Sequence, residues 1–273
     1  ERMALATSRW GEVIQRANDL LQQQTEAPQK VRLCLHLAKW YGEDLGHPEY
    51  AQPFYQQIVQ LDPNNVGALR QMAQLYRKNA NWQQLGATLT RALEVAVGDT
   101  DRKEVLTELG ELLDSQMSQT DQAVGYFTRA LEVDGKFLPA IENLERIYAS
   151  RVQNRELVDI LHRKVGALDA PDLIAQTKLR IATLYEAMPA EGQKAAQLYR
   201  EVLEIEPENL QSLRGLGRVY EALQLWPDLV RVHENELEVV TTERERIDLL
   251  MKLARLQEEQ FLKADLAAQH LEH

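Results

Sequence analysis

The side chains that could do chemistry in this chain are present but scattered. Its six histidines, His36, His47, His162, His233, His270 and His273, form no cluster along the sequence. A zinc-protease helix reads H-E-x-x-H, with two imidazoles one turn apart, and "HENEL" (233–237) lacks the second. No metal site and no cofactor are expected. The acidic runs "TERER" (242–246) and "LQEEQ" (256–260) lack calcium-loop ligand spacing and read as solvated helix faces. The single cysteine, Cys34, falls at an apolar position of a helical pattern. A nucleophilic thiolate needs a cationic, partly exposed setting, so a buried inert thiol is the better reading. "GLG" (215–217) follows no strand and reads as two packing glycines rather than a dinucleotide loop. There is no G-x-S-x-G and no phosphate loop. No catalytic constellation assembles, and an enzyme is not expected.

Composition narrows the partners. Apolar residues make up 44% and charged residues 27%, and no apolar run is long enough for a membrane-spanning helix. The amphipathic stretch "RERIDLLMKLARL" (244–256) mixes charge signs on its polar face, which argues against a membrane surface. The net charge of −11 argues against nucleic acid, which wants a dominant basic field. One cysteine excludes an intrachain disulfide framework and a cysteine-rich zinc site, so the compartment stays open, with the cytoplasm slightly favoured. The chain begins at Glu1 with no targeting segment and is expected to be a piece of a longer one. Its closing residues, 272–273, match what a cloning tag would leave.

The elements that hold these residues repeat. Trp10, Trp82 and Trp226 lie 72 and then twice 72 residues apart, with Asn154 in the missing place. Val13, Leu85, Leu157 and Leu229 keep the same step, as do Tyr76, Tyr148 and Tyr220. So do Ala51, Ala123, Ala195 and Ala267, and the bulky series Tyr55, Phe127, Tyr199 and Leu271. Each unit divides into a 34-residue and a 38-residue half. Of the four extra residues, one is expected in the inter-helix turn and three in the connection before the longer half. Within every half the apolar spacing is helical, as in Leu69, Met72, Ala73 and Tyr76. "LDPNN" (61–65) and "IEPEN" (205–209) each end one helix and offer an Asn cap for the next. Pro48, Pro171 and Pro227 fall in expected first turns. Small residues recur where two helices must touch, at Ala38, Ala73, Gly110, Ala182, Gly217 and Ala254; Glu145 interrupts that series. Trp82, at an inter-helix joint, is expected to be largely buried against a neighbouring helix.

These patterns resemble the tetratricopeptide repeat, written W-x2-L-G-x2-Y, then A-x3-F, then P. Leu213, Leu216, Gly217 and Tyr220 match the first part, as do Leu106, Leu109, Gly110 and Leu113. Ala123, Phe127, Ala130 and Leu131 match the second. The first signature position holds Cys34, Leu69, Leu106, Ile141, Lys178, Leu213 and Leu250, never Trp. The resemblance implies an all-α, right-handed superhelical solenoid of antiparallel helix pairs. It would run as a single array over 1–273, with fourteen or fifteen helices and partial copies at both ends.

It also implies a scaffold that binds an extended peptide or helix of a partner in a concave groove lined by the first helix of each pair. Carried over position by position, the groove residues are Arg70, Gln74, Arg77, Lys78, Glu142, Arg146, Arg214 and Arg218 in the shorter halves. In the longer halves they are Arg32, Leu35, Lys39, Glu104, Thr107, Glu111, Gln176, Leu179 and Thr183. The arginines suit two-pronged recognition of carboxylates. A clamp of the family's Lys and Asn type on a peptide terminus is not expected, because no repeat places Asn at the position of Gln74. The rival reading is a spacer or a self-assembling segment of a larger protein, joined end to end.

Overall fold

The computed structural model describes residues 10–188 and 190–261, the last of these by its backbone alone. The expectations placed on Ala267, His270, Leu271 and residues 272–273 lie outside that range. The described residues form fourteen α-helices and no strand. They are α1 (Trp10–Gln23), α2 (Ala27–Lys39), α3 (Pro48–Leu61), α4 (Val66–Lys78), α5 (Trp82–Val95), α6 (Asp99–Ser115) and α7 (Thr120–Val133). Then come α8 (Leu138–Ser150), α9 (Asn154–Ala167), α10 (Pro171–Glu186), α11 (Gly192–Ile205), α12 (Leu210–Ala222), α13 (Trp226–Val239) and α14 (Glu243–Phe261). Trp10, Trp82, Asn154 and Trp226 each open a helix.

Local chemistry sets these boundaries. Asn65 and Asn209 cap α4 and α12, their side-chain oxygens accepting from the backbone N–H of Ala68 (3.0 Å) and Ser212 (2.9 Å). Pro48 and Pro171 take the first position of their helices, and Pro227 the second, where a missing N–H costs nothing. Each turn inside a pair places one residue in the left-handed region: Gly46, Ala80, Ser118, Val152, Ala190 and Gln224, with φ between 54° and 71°. The three extra residues of the longer halves enter the helix rather than the connection. Thus α6 and α10 run for 17 and 16 residues, where α4, α8 and α12 run for 13. In the first longer half the α2 helix widens into a π-helical turn, Trp40–Asp44, in which Leu45 N–H reaches back five residues to Trp40 C=O.

The chain divides into two compact units, Glu1–Asn143 and Leu144–His273. In the first unit one core gathers Ile14, Leu21, Cys34, Leu37, Trp40 and Ile58, and a second gathers Leu69, Tyr76, Leu85, Leu89, Leu109 and Leu112; Tyr55 and Val59 touch both. In the second unit Leu157, Leu161, Ile181, Tyr199, Leu213, Leu216, Tyr220 and Leu229 belong to one core. Within each unit consecutive helices pack against one another, and α10 also meets α12 directly.

The small-residue series sits at these contacts, and all six of its members are buried. At Gly110 the reason is a close approach: a Cβ there would lie 2.6–2.9 Å from the Phe127 ring, which is fully buried. Glu145 departs from the series because its long side chain does different work. Its carboxylate meets Lys164 Nζ at 2.8 Å and also pairs with Arg180. Lys178, the other charged residue at an apolar position, pairs with Glu201 at 2.8 Å. A half-buried charge at such a position is tolerated when it is partnered.

Trp82 is only half-buried. It packs against the Tyr76, Leu85 and Leu112 core from the first position of α5. Trp10, its counterpart in α1, packs on Trp40 with ring centres 6.0 Å apart.

Candidate functional site

The first helices of the pairs carry the predicted groove residues, and most of these are exposed. Thr107 is the clearest departure: it is buried, and its hydroxyl donates to Lys103 C=O at 2.9 Å. Leu179 and Thr183 are half-buried. Arg32 and Lys39 on α2, Gln74 and Lys78 on α4, Glu111 on α6 and Arg146 on α8 are all exposed.

Four of the groove arginines, Arg70, Arg77, Arg214 and Arg218, are engaged by carboxylates of the chain itself. In the first unit Arg70 pairs with Asp101 and approaches Glu104 at 3.9 Å, while Arg77 donates to Glu108 at 2.7 Å. Glu111 accepts from the Asn143 amide at 3.3 Å. In the second unit Arg214 donates from Nε to Glu236 (2.9 Å) and from Nη2 to Glu245 (2.8 Å). Arg218 grips Glu186 with two parallel bonds of 2.6 and 3.0 Å. Three of these contacts, Arg70–Asp101, Arg77–Glu108 and Arg214–Glu245, each link residues 31 apart, from one first helix to the next.

Burial grades these pairs. Arg70 and its acidic partners are well exposed, whereas Glu236 is buried on α13. Burial pushes the Glu236 carboxyl up, but hydrogen bonds from His233 and Arg214 outweigh it and hold the group below the usual carboxylate range. Glu186 is similar: burial raises it, and Arg218 with the Tyr199 hydroxyl (2.6 Å) brings it back down. Burial, and then the bond to Glu186, push the Tyr199 phenol far up. A cleft of about 620 Å³ is lined by Arg214, Trp226, His233 and Glu236 together with Lys252 and Leu256 of α14.

The sequence marks these arginines, and Glu104 among the groove positions, but not how they pair. For Arg70, Arg77 and Arg214 the signal is an Asp or Glu 31 residues further on, a spacing that carries meaning only once helix rotation is fixed.

The remaining reactive groups are quiet. Cys34 is fully buried, and burial, partly offset by Lys30, pushes its thiol up to about 11. Its Sγ lies 3.4 Å from Gln57 Oε1. The folded protein at pH 8 is expected to hold about a hundredfold less thiolate than the unfolded chain. Labelling with a chromogenic disulfide reagent checks this: rapid reaction without denaturant would contradict it. Among the described residues no three His, Cys, Asp or Glu side chains are arranged to hold a metal ion. No described helix is long and apolar enough to cross a membrane.

Two stretches of the chain, 68–103 and 212–247, match the family model described as tetratricopeptide repeat. Among solved structures the chain is similar to a tetratricopeptide repeat protein from Parabacteroides merdae. That match has 12% identity and a TM-score of 0.47, and covers 89% of this chain and 91% of that one. The C-terminal part of a TPR repeat-containing protein from Cytophaga hutchinsonii shows 15% identity and a TM-score of 0.43, covering 86% and 93%. Yeast Tom70 shows 14% identity and a TM-score of 0.38, covering 96% of this chain and 62% of Tom70. No curated protein matches.

Proposed function

From the premise that this chain carries tetratricopeptide repeats, we propose that it is a protein-interaction scaffold whose first-helix faces receive an extended peptide or helix of a partner. The observation that supports this is the row of exposed, pre-oriented arginines on those faces. A guanidinium has five N–H donors in a fixed fork. The contacts to Asp101 and Glu108 are each made through a single terminal nitrogen, of Arg70 and Arg77. Donors remain for a partner's carboxylate, and the in-chain pairs have already reduced the rotamer freedom lost on binding.

Each unit presents its own face: in the first it centres on Arg70, Gln74 and Arg77, with Arg32, Lys39, Lys78 and Glu111 beside them, and in the second on Arg146, Arg214 and Arg218. The test is capture of partners from the native host with the intact protein as bait, alongside Arg70→Glu and Arg146→Glu variants of unchanged circular dichroism. Capture is expected to fall about tenfold or more, as for charged contacts at an interface. An undiminished partner set would overturn the assignment of this face.

One observation favours the spacer or self-assembly reading. Ile247 and Met251, one turn apart on α14, are exposed, whereas their counterparts 72 residues earlier, Ala175 and Leu179, are buried and half-buried. Light scattering of the same bait preparations separates the two: mass that rises with concentration supports self-assembly, and a constant monomer mass counts against it.

A further inference from the structure

The π-helical turn after α2 carries an aromatic cluster that its counterparts in the two later copies do not build. The Tyr41 ring stacks on Phe54 of α3, with centres 5.7 Å apart and planes 13° from parallel. Tyr50, one turn before Phe54 on α3, meets Tyr41 edge to face at 5.9 Å. Backbone bonds pin the turn under these rings: Leu45 N–H donates to Trp40 C=O at 2.9 Å and His47 N–H to Tyr41 C=O at 2.7 Å. Turns of this kind are frequent at functional sites. Tyr50 is 57% exposed, and Tyr41 and Phe54 are half-buried, so the cluster meets solvent.

The counterparts of Tyr41, Tyr50 and Phe54 are Leu113, Gln122 and Tyr126 one step on, and Tyr185, Lys194 and Leu198 two steps on. Two of those later rings carry a cation. Lys194 Nζ stands 5.3 Å over Tyr185, and the Arg129 guanidinium 5.4 Å over Tyr126. In the first copy the places of these cations are taken by Tyr50 and Gln57. Among the described residues no lysine or arginine stands over Tyr41, Tyr50 or Phe54. From Trp40 to Leu69 the chain has no lysine or arginine at all, against Glu43, Asp44, Glu49 and Asp62. Glu43 and Asp44 in the turn, and Glu49 next to Tyr50 in the chain, are exposed. His47, its ring centre 5.5 Å from that of Tyr50, is the one base in the cluster, and Glu49 meets it at 3.1 Å. The Glu49 carboxyl is held below the usual range by its own backbone N–H, by His47 and, least, by Lys78 of α4.

We propose that this cluster receives the guanidinium of an arginine on a partner polypeptide. Ring faces attract a cation through their quadrupole, and a planar guanidinium can lie flat on them. The repeats make the same kind of contact within the chain at Tyr126 and Tyr185. Glu43, Asp44 and Glu49 add a field that draws a cation in and repels an acidic side chain. None of the arginines of the first-helix face takes part, so the site stands or falls independently of that surface.

The probe is N-acetyl-argininamide, titrated at constant ionic strength into the intact protein carrying ¹³C-ring tyrosine. Tyr41→Phe and Tyr50→Leu assign the two resonances. Both are expected to shift saturably with the arginine amide and to stay in place with N-acetyl-citrullinamide, which has the same shape and no charge. Tyr50→Leu is expected to weaken the binding read at Tyr41 about fivefold, the scale of one cation–aromatic contact at an exposed site. In Tyr50→Lys the chain supplies its own cation, as Lys194 does over Tyr185, and the Tyr41 ring is expected to respond no further. Rings that do not move with the arginine amide, or that move as far with the citrulline amide, overturn the proposal. So does an unreduced shift at Tyr41 in a folded Tyr50→Lys protein.

Discussion

Tyr199→Ala is expected to destabilise the second unit by about 4 kcal/mol, in the range for truncating a buried aromatic side chain to alanine. Tyr199 is fully exposed to its neighbours and not at all to water, at 0% accessibility. It lies across Gly215 of α12, where even a Cβ would come within 2.3–2.7 Å of the ring end and hydroxyl. The hydroxyl is anchored on Glu186 at 2.6 Å, so the ring cannot swing aside without releasing that bond. This gives Gly215→Ala a sign that depends on its neighbour. With Tyr199 present, the added methyl is expected to cost about 1–3 kcal/mol by overpacking, more than the helix propensity it gains. In the Tyr199→Ala background the clash is gone, and the same change is expected to recover up to about 1 kcal/mol, the helical difference between Gly and Ala. Urea unfolding of the four proteins of this cycle measures both values. Additive effects would mean that ring and glycine do not touch.

Much of this architecture is written in the sequence because each repeat must solve the same packing problem. Helices beginning at Trp10, Trp82, Asn154 and Trp226 follow from apolar phase and from caps such as Asn65 and Asn209, which act within three or four residues. The left-handed turn residues were harder to read. Glycine would have flagged them, but five of the six are Ala, Ser, Val, Ala and Gln. The surrounding helices impose that conformation, and no local residue type announces it. The π-helical turn at Trp40–Asp44 was hidden for a related reason: it absorbs one extra residue without breaking the apolar pattern on either side. The burial of Thr107 depends on helix rotation, which one-dimensional spacing does not fix closely enough to separate a groove position from its neighbour. Glu145 can interrupt the small-residue series because Lys164 and Arg180, 19 and 35 residues away, hold its carboxylate, and no local pattern announces partners at that range.

For the candidate site, the exposed arginines were legible and their neutralisation was not. Which of them are structural is decided by the burial of the partner carboxylate. Arg214→Ala is therefore expected to lower the stability of the second unit by about 2 kcal/mol at pH 7, while Arg70→Ala changes the first by less than about 1 kcal/mol. Breaking a fully buried ion pair from one side costs about 3–5 kcal/mol. Arg214 itself is 42% exposed, and His233 still reaches Glu236 at 3.3 Å, so only part of that penalty is expected. Asp101 and Glu104, the partners of Arg70, regain water readily. The pH dependence follows from Glu236, whose folded pKa is depressed below its ordinary 4.5. A depressed carboxylate stabilises the fold above the unfolded pKa, and that contribution is lost as pH falls through the folded value. The gap between wild type and Arg214→Ala should thus be full at neutral pH and shrink once the pH drops below about 4.5, where Glu236 takes up its proton in the variant first. Denaturant unfolding of both proteins between neutral and acid pH measures the gap. A difference that stays constant across that range would show that Arg214 stabilises the unit through packing of its aliphatic stem rather than through its charge.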